Sequence, residues 1–374
     1  MTARRNAAVL GLLLAAAGAG AAPQDAWNKV DRIVAVGDVH GDYGQLLTVL
    51  EDAALVDAKA RWIGGRAHLV QTGDRLDRGP DSRKVMDLVM RLEKEARKAG
   101  GAVHALLGNH EAMNVLGDLR YTTPEEFAAF ATADSARLRG ALFARANEDR
   151  QREDRPPLSP EEKAQWEKQY PLGFVEHRLA FGREGRYGSW LGGQNAVIRI
   201  GDTLFLHGGL SPKYGDFALT DLNERVRQEL RDGDPQLALV SNDADGPLWF
   251  RGLAQDDPAL SDHLESLLRR HGCHRLVIGH TPTEGLVMPR YGGRVVQIDV
   301  GLSQVYGGPP AALVIEGGRA LALHRGRKVP LPREPGESVL GYVREIAALE
   351  SPTSAIAALA LKLAEPVKAA PASP

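Results

Sequence analysis

Five times along this chain a short apolar run stops abruptly at a glycine-flanked group of acidic, amide or histidine residues, and this recurrence constrains the fold most. Arg32-Ile33-Val34-Ala35-Val36 runs into "GDVHG", Ala67-His68-Leu69-Val70-Gln71-Thr72 into "GDRLDRG", and Val103-His104-Ala105-Leu106-Leu107 into "GNHE". Thr203-Leu204-Phe205-Leu206 runs into "HGG", and Arg275-Leu276-Val277-Ile278 into "GHT". Runs of this length read as buried strands. Between them, Val85, Leu88, Val89 and Leu92 fall on one helical face, with Arg97 and Lys98 suiting the C-terminal dipole and Gly100-Gly101 ending the helix. Asp257-Pro258 opens another helix whose inner face is Leu260, Leu264, Leu267 and Leu268. Strands alternating with amphipathic helices predict an α/β domain, and such sheets build their sites just past the strand ends.

The stretch from about 115 to 195 interrupts this rhythm. Pro124 to Asn147 has helical composition, and the charge run from Glu148 reads as a solvated insertion of helices and loops. Loops of this length often form lids or substrate rims. "YPLGFVEHRLAFGREGRYGSWL" regains apolar character and is expected to fold back onto the domain. The domain is expected over 30–328, followed by a helical extension and a disordered low-complexity tail over 329–374. At the other end Arg4-Arg5, the apolar Ala7 to Leu14 and Ala19-Gly20-Ala21 have the layout of a signal peptide spanning 1–21. The mature chain is therefore expected to be exported, periplasmic or secreted, with no membrane span. A net charge of −2 argues against a nucleic-acid partner, and the single cysteine, Cys273, excludes an internal disulfide and reads as buried core.

The chemistry concentrates in the five loops. Asp38 and His40 stand at i and i+2, and Asp74, Asn109, His207 and His280 each follow a separate strand. Carboxylate, imidazole and amide oxygen suit manganese, iron or zinc. Six such groups exceed a four-ligand site, and a bridging Asp74 would let them hold two ions about 3.5–4 Å apart, the arrangement used for in-line phosphoryl displacement. Each residue alone is an ordinary turn or cap; the recurrence is what points to a site. His68 and His104, inside their strands, read as structural.

The motifs "GDVHG", "GDRLDRG", "GNHE", "HGG" and "GHT", in this order, resemble those of metallophosphoesterases, in the phosphoprotein-phosphatase branch. "GNHEAMN", "YPLGFVEHR", "RYGSWL" and "PLWFRG" make the chain most similar to the Shewanella-like protein phosphatases. The resemblance implies a four-layer αββα sandwich with a helical insertion. It implies Asp38, His40 and Asp74 as ligands of a first metal, and Asp74, Asn109, His207 and His280 as ligands of a second. His110 resembles the proton donor, Asp77 its orienting partner, and Arg78 and Arg251 the phosphate clamps. Glu111 braces its loop, Asp299 either braces or turns the chain, and Arg75 is left as a solvent-facing or locally paired charge. The expected cofactors are two divalent or trivalent ions, manganese or iron foremost and zinc as an alternative. The expected substrate is a phosphorylated protein, peptide or small phosphomonoester, with phosphotyrosine preferred. Two alternatives stand beside this: a dinucleoside polyphosphate hydrolase, and a catalytically silent metal- or phosphate-binding module. The "SAPNY" segment of eukaryotic members is absent, since Leu302-Ser303-Gln304-Val305 follows Gly301. That departure bears on serine/threonine preference and toxin sensitivity, not on metal chemistry.

Overall fold

The computed structural model describes residues 23–332 and 339–365; the expected signal peptide and the tail beyond Glu365 lie outside the described residues. Among the described residues four strands precede the helical stretch: β1 (Ala26–Trp27), β2 (Arg32–Val36), β3 (His68–Gln71) and β4 (Ala102–Ala105). Eight described strands follow it: β5 (Val197–Ile200), β6 (Thr203–Leu206), β7 (Arg275–Ile278), β8 (Met288–Arg290), β9 (Val295–Gln297), β10 (Ala311–Glu316), β11 (Arg319–His324) and β12 (Arg327–Pro330).

They form two six-stranded sheets, ordered β12-β11-β10-β2-β3-β4 and β1-β5-β6-β7-β9-β8. In the first, β2, β3 and β4 are parallel, in register Val34 to Leu69 and Val70 to His104, and the antiparallel β10 pairs Leu313 with Ala35. In the second, β6, β7 and β9 are parallel. All five motif-bearing runs are therefore parallel strands, and their C-terminal ends carry the loops. Side-chain alternation explains why the sheets stack. Phe205, Val277 and Val296 join residues of the first sheet such as Val34 and Leu69 in one core. Their neighbours Leu204, Leu206, Leu276, Ile278 and Val295 point to the other face, into a second core with helices Leu219–Asp232 and Ser261–Arg270. The architecture is an α/β sandwich of two sheets flanked by helices.

The Ser82–Lys98 helix buries Val85, Leu88, Val89 and Leu92, as its spacing predicts, and Gly100 follows it at φ +80°. The element opening at Asp257 differs from expectation in its first turn. Pro258–Leu260 is a 3-10 turn capped by the Asp257 side chain, and the α-helix begins at Ser261. Pro124 to Asn147 divides into two helices, Pro124–Phe130 and Ser135–Arg152. Of the charge run, Pro160–Gln169 is a helix with no buried residue, whereas His177, Phe181, Tyr187 and Leu191 return to the core. No described helix is long and apolar enough to cross a membrane.

Candidate metal centre and active site

The loops are tied to one another before any ligand is considered. Val39 and His40 both donate their backbone N–H to Asp74 O at 2.9 Å, and Gly41 N donates to Arg75 O at 2.9 Å. Glu111, fully buried, gathers three further loop amides: Oε2 accepts from Asp74 N and Gly108 N, and Oε1 from Arg75 N, each at 2.8 Å. Arg75 is not solvent-facing. It is fully buried, its Nη1 donates to Gln71 Oε1 at 2.8 Å, and its Nε lies 3.4 Å from Glu111 Oε1, an ion pair out of line for a hydrogen bond. The sharp turns fall mainly on functional residues themselves: His40, Asp74, Asp77, Arg78 and His280 have φ of +45°, +56°, +67°, +69° and +64°. Each such non-glycine residue stores about 1–3 kcal/mol of strain, which the surrounding hydrogen bonds must hold in place. Gly73, at φ +109°, turns as a glycine is expected to, but a Cβ there would also stand 2.6 Å from Gly108 Cα. Gly79 is required by proximity instead, since its Cβ would meet His40 O at 2.3 Å.

These loops converge donor atoms on one point. Asp74 Oδ2 lies 3.8 Å from His40 Nε2 and 3.3 Å from His207 Nε2. His207 Nε2 lies 2.9 Å from Asn109 Oδ1 and 3.1 Å from His280 Nδ1, and Asp38 Oδ2 lies 4.0 Å from His40 Nε2. The far nitrogens set the tautomers. His40 Nδ1 lies 2.9 Å from Leu76 O and His207 Nδ1 3.0 Å from Thr72 O, so each ring donates outward to a backbone carbonyl and turns its Nε2 inward. Burial foremost holds His40 and His280 down to about 4 and about 2, so both rings are neutral. Imidazole, amide and carboxylate atoms thus converge within 3.3 Å of His207 Nε2, and this donor set fits divalent ions. His40, Asp74 and His110 form one three-donor group, and Asp74, His207 and His280 another. Asp74 belongs to both.

The carboxylates are unequal. Burial, then the neighbouring Asp299 and Asp74, pushes Asp38 well above the usual carboxylate range. Burial likewise lifts Asp299 to about 6, while its Oδ1 accepts from Gly301 N at 3.0 Å, so Asp299 both turns the chain and faces Asp38. Burial pushes Asp74 the same way but is outweighed by His207 and His110, which hold it well below that range. At His110 burial opposes the charged ring, yet Asp74 and the hydrogen-bonded Asp77 prevail and raise it. His110 Nδ1 lies 2.6 Å from Asp77 Oδ2, leaving Nε2 free, 3.8 Å from Asp74 Oδ2.

A cavity of about 270 Å³ opens over these groups and is also lined by Arg78, Arg251, Tyr121, Trp249 and Tyr306. Larger cavities of about 420, 480 and 510 Å³ lie elsewhere and lack this donor set. Arg78 Cζ is 4.5 Å from the centre of the Tyr121 ring and 5.5 Å from that of Tyr306. Arg251 is exposed, with Nη1 donating to His280 O at 2.6 Å. All ten residues singled out in the sequence thus lie in one place. Sequence reasoning missed Asn114, Tyr121, Thr122, Trp249 and Tyr306. Asn114 follows His110 by four residues on one helix, a spacing that could have revealed it; the others reach the site only through tertiary packing. Cys273 is buried, and His68 and His104 pair with each other at 2.9 Å and do not line this cavity.

Two stacked sheets whose parallel strands deliver oxygen and imidazole donors to a shared carboxylate, beside arginines and a His–Asp pair, define a metal-dependent phosphoesterase. The sequence matches the calcineurin-like phosphoesterase family over residues 31–284, and the chain belongs to that family. It is 32% identical over 294 residues to an uncharacterized protein of Schizosaccharomyces pombe, covering 76% of each chain. It is 30% identical over 295 residues to Shewanella-like protein phosphatase 2 of Arabidopsis thaliana, covering 75% of this chain and 74% of that one. It is also similar to the solved cold-active protein-tyrosine phosphatase of a psychrophilic Shewanella species, with TM-score 0.63 and 27% identity over 83% of each chain.

Proposed function

We propose that this phosphoesterase is a two-ion protein phosphatase that prefers phosphotyrosine. The observation that carries the reading is Asp74 Oδ2 standing between His40 Nε2 and His207 Nε2, at 3.8 and 3.3 Å, in a cavity shared with His110 and Arg78. Asp38, His40 and Asp74 would hold one ion, and Asp74, Asn109, His207 and His280 the other, with manganese or iron favoured and zinc the alternative. When bound, such a pair supplies Lewis acidity at the phosphoryl oxygens and makes hydroxide available near neutral pH for in-line attack. Arg78 and Arg251 neutralise the phosphate dianion through their planar guanidinium groups. Arg78 Nε, buried without a hydrogen-bond partner, is a donor left for a phosphate oxygen. His110, its pKa raised by Asp74 and Asp77 against the effect of burial, gives the proton on Nε2 to the departing oxygen, and Asp77 holds the ring in line.

Similarity to a protein-tyrosine phosphatase and the aromatic rings of Tyr121, Tyr306 and Trp249 at the cavity support the tyrosine preference. Metal-stripped protein reconstituted with manganese, iron or zinc should hydrolyse phosphotyrosyl peptides much faster than phosphoseryl peptides. Equal rates would remove the preference; dominant cleavage of a dinucleoside polyphosphate would reassign the substrate; no turnover with any ion would leave a silent binding module. His110→Asn should sharply lower turnover while metal content stays intact. The basic and apolar residues at the start support export, which cell fractionation and amino-terminal sequencing of the purified protein test.

A further inference from the structure

The first turn of the helical insertion grips the two strained residues that serve His110 and the phosphate. Arg78 N donates to Tyr121 O at 3.1 Å, and the Tyr121 ring lies 4.5 Å from Arg78 Cζ and 5.1 Å from the His110 ring. Thr122 Oγ1 donates to Asp77 Oδ1 at 2.8 Å. Asp77 N donates to Glu126 Oε1 at 3.0 Å, and the same carboxylate accepts from Ser82 Oγ and, through Oε2, from Thr123 N at 2.8 Å. Asp77 and Arg78 both lie in the left-handed region, at φ +67° and +69°. Non-glycine residues persist there only where neighbours over-determine them, and the insertion supplies those neighbours.

The two oxygens of Asp77 are divided by origin. Oδ2 accepts from His110 Nδ1 and from Asn114 Nδ2 at 2.6 and 3.0 Å, both within the Asn109–Leu116 helix. Oδ1 is held by Thr122 alone among the described contacts. With Oδ2 as its only anchor the carboxylate plane can rock about that point and carry the imidazole with it; a second anchor stops the rocking. We propose that Thr122 is a positioning residue, through which the insertion fixes Asp77 and thereby aims His110 Nε2 at the leaving-group oxygen. This rests on the reading above in which His110 protonates that oxygen. In the step concerned a P–O bond forms to the attacking hydroxide while the ester P–O bond breaks. The electron pair leaves with the ester oxygen, which takes the proton from His110 Nε2, giving the free hydroxyl and inorganic phosphate. The insertion is therefore part of the proton-transfer apparatus and not only a rim.

The discriminating variable is the leaving group. A tyrosine phenolate, of pKa about 10, needs the proton, whereas 4-nitrophenolate departs readily as the anion. The experiment compares purified Thr122→Val, isosteric without the hydroxyl, and Thr122→Ser, which keeps it, in the full manganese-loaded protein. Thr122→Val should lower kcat on a phosphotyrosyl peptide by about 10- to 100-fold with KM within about 2-fold, part of what general acid catalysis supplies. On 4-nitrophenyl phosphate its kcat should fall less than about 3-fold, and Thr122→Ser should restore most of the peptide rate. Should Thr122→Val not fold, Thr122→Ala takes its place in the same comparison. Equal losses on both substrates, or no loss on either, would overturn the proposal. The same pair of substrates with His110→Asn separates the two claims. A leaving-group-dependent loss there, with none in the Thr122 variant, sinks this inference and keeps the proton donor; no such dependence in His110→Asn sinks the donor reading itself.

Discussion

Glu111→Gln is a sharp test of how the site is held together. The wild-type carboxylate takes three backbone N–H groups, at 2.8 Å each, and faces the fully buried Arg75 at 3.4 Å. Glutamine is nearly the same shape but accepts through one oxygen only. Its least costly orientation keeps the oxygen on Asp74 N and Gly108 N and turns the amide nitrogen towards Arg75. One buried N–H is then unsatisfied, which costs about 1–3 kcal/mol. The Arg75 guanidinium also loses its nearest counter-charge, with Asp74 and Glu93 as the others acting on it, in a fully buried setting where breaking a pair costs about 3–5 kcal/mol. Together these give about 4–8 kcal/mol, a large part of the roughly 5–15 kcal/mol available to a folded domain. Urea unfolding followed by tryptophan fluorescence reads this directly, with chelator present so that metal binding does not contribute. The double variant Glu111→Gln with Arg75→Met should recover several kcal/mol, because the stranded cation is gone. A Glu111→Gln protein within about 1 kcal/mol of wild type would refute the reasoning, as would a double variant less stable than the single one.

Further expectations follow from the same geometry. Burial, then the adjacent His68, pulls His104 down to about 3, and burial also lowers His68. The folded pKa of His104 lies below its unfolded value of about 6.5, so stability is full above that pH and falls on acidification by up to about 1.4 kcal/mol per pH unit. Between pH 7 and 5 the stability gap between wild type and His104→Gln should narrow by about 2 kcal/mol, and parallel pH profiles would contradict this. Gly108→Ala places a Cβ 2.3 Å from Asp74 Oδ1, so metal content after dialysis and turnover should both fall by at least about 10-fold; normal metal content counts against the assigned packing. Saturating manganese should raise the melting temperature of stripped protein by at least about 4 °C, as binding at 100 times Kd contributes about 2.7 kcal/mol, and no shift would remove the metal site.

The parts legible in the sequence are those set by local requirements. An apolar run of four or five residues predicts a buried strand wherever it falls, and β2, β6 and β7 match their runs residue for residue. The Ser82–Lys98 helix buries the face its 3.6-residue period predicts. The loops after those strands carry their ligands on the chain itself, so the donor set could be read before its geometry was known. Arg75 marks where this kind of reading stops. In "GDRLDRG" its charge looks like that of Arg78, yet one guanidinium is sealed behind the loop against Glu111 and the other opens on the cavity. No local pattern separates them, because burial is decided by which distant segment packs on each side.

Sequence alone thus determined the inventory: strands, helices, ligand types and their order, all consequences of backbone preference and side-chain chemistry within a few residues. Only the tertiary structure decided how they meet. Asp38 Oδ1 accepts from His280 N at 3.1 Å across a separation of 242 residues, and Thr122 reaches Asp77 across 45. Such contacts depend on strand order and on the stacking of two sheets, which arise from the sum of many weak apolar contacts rather than from any one motif.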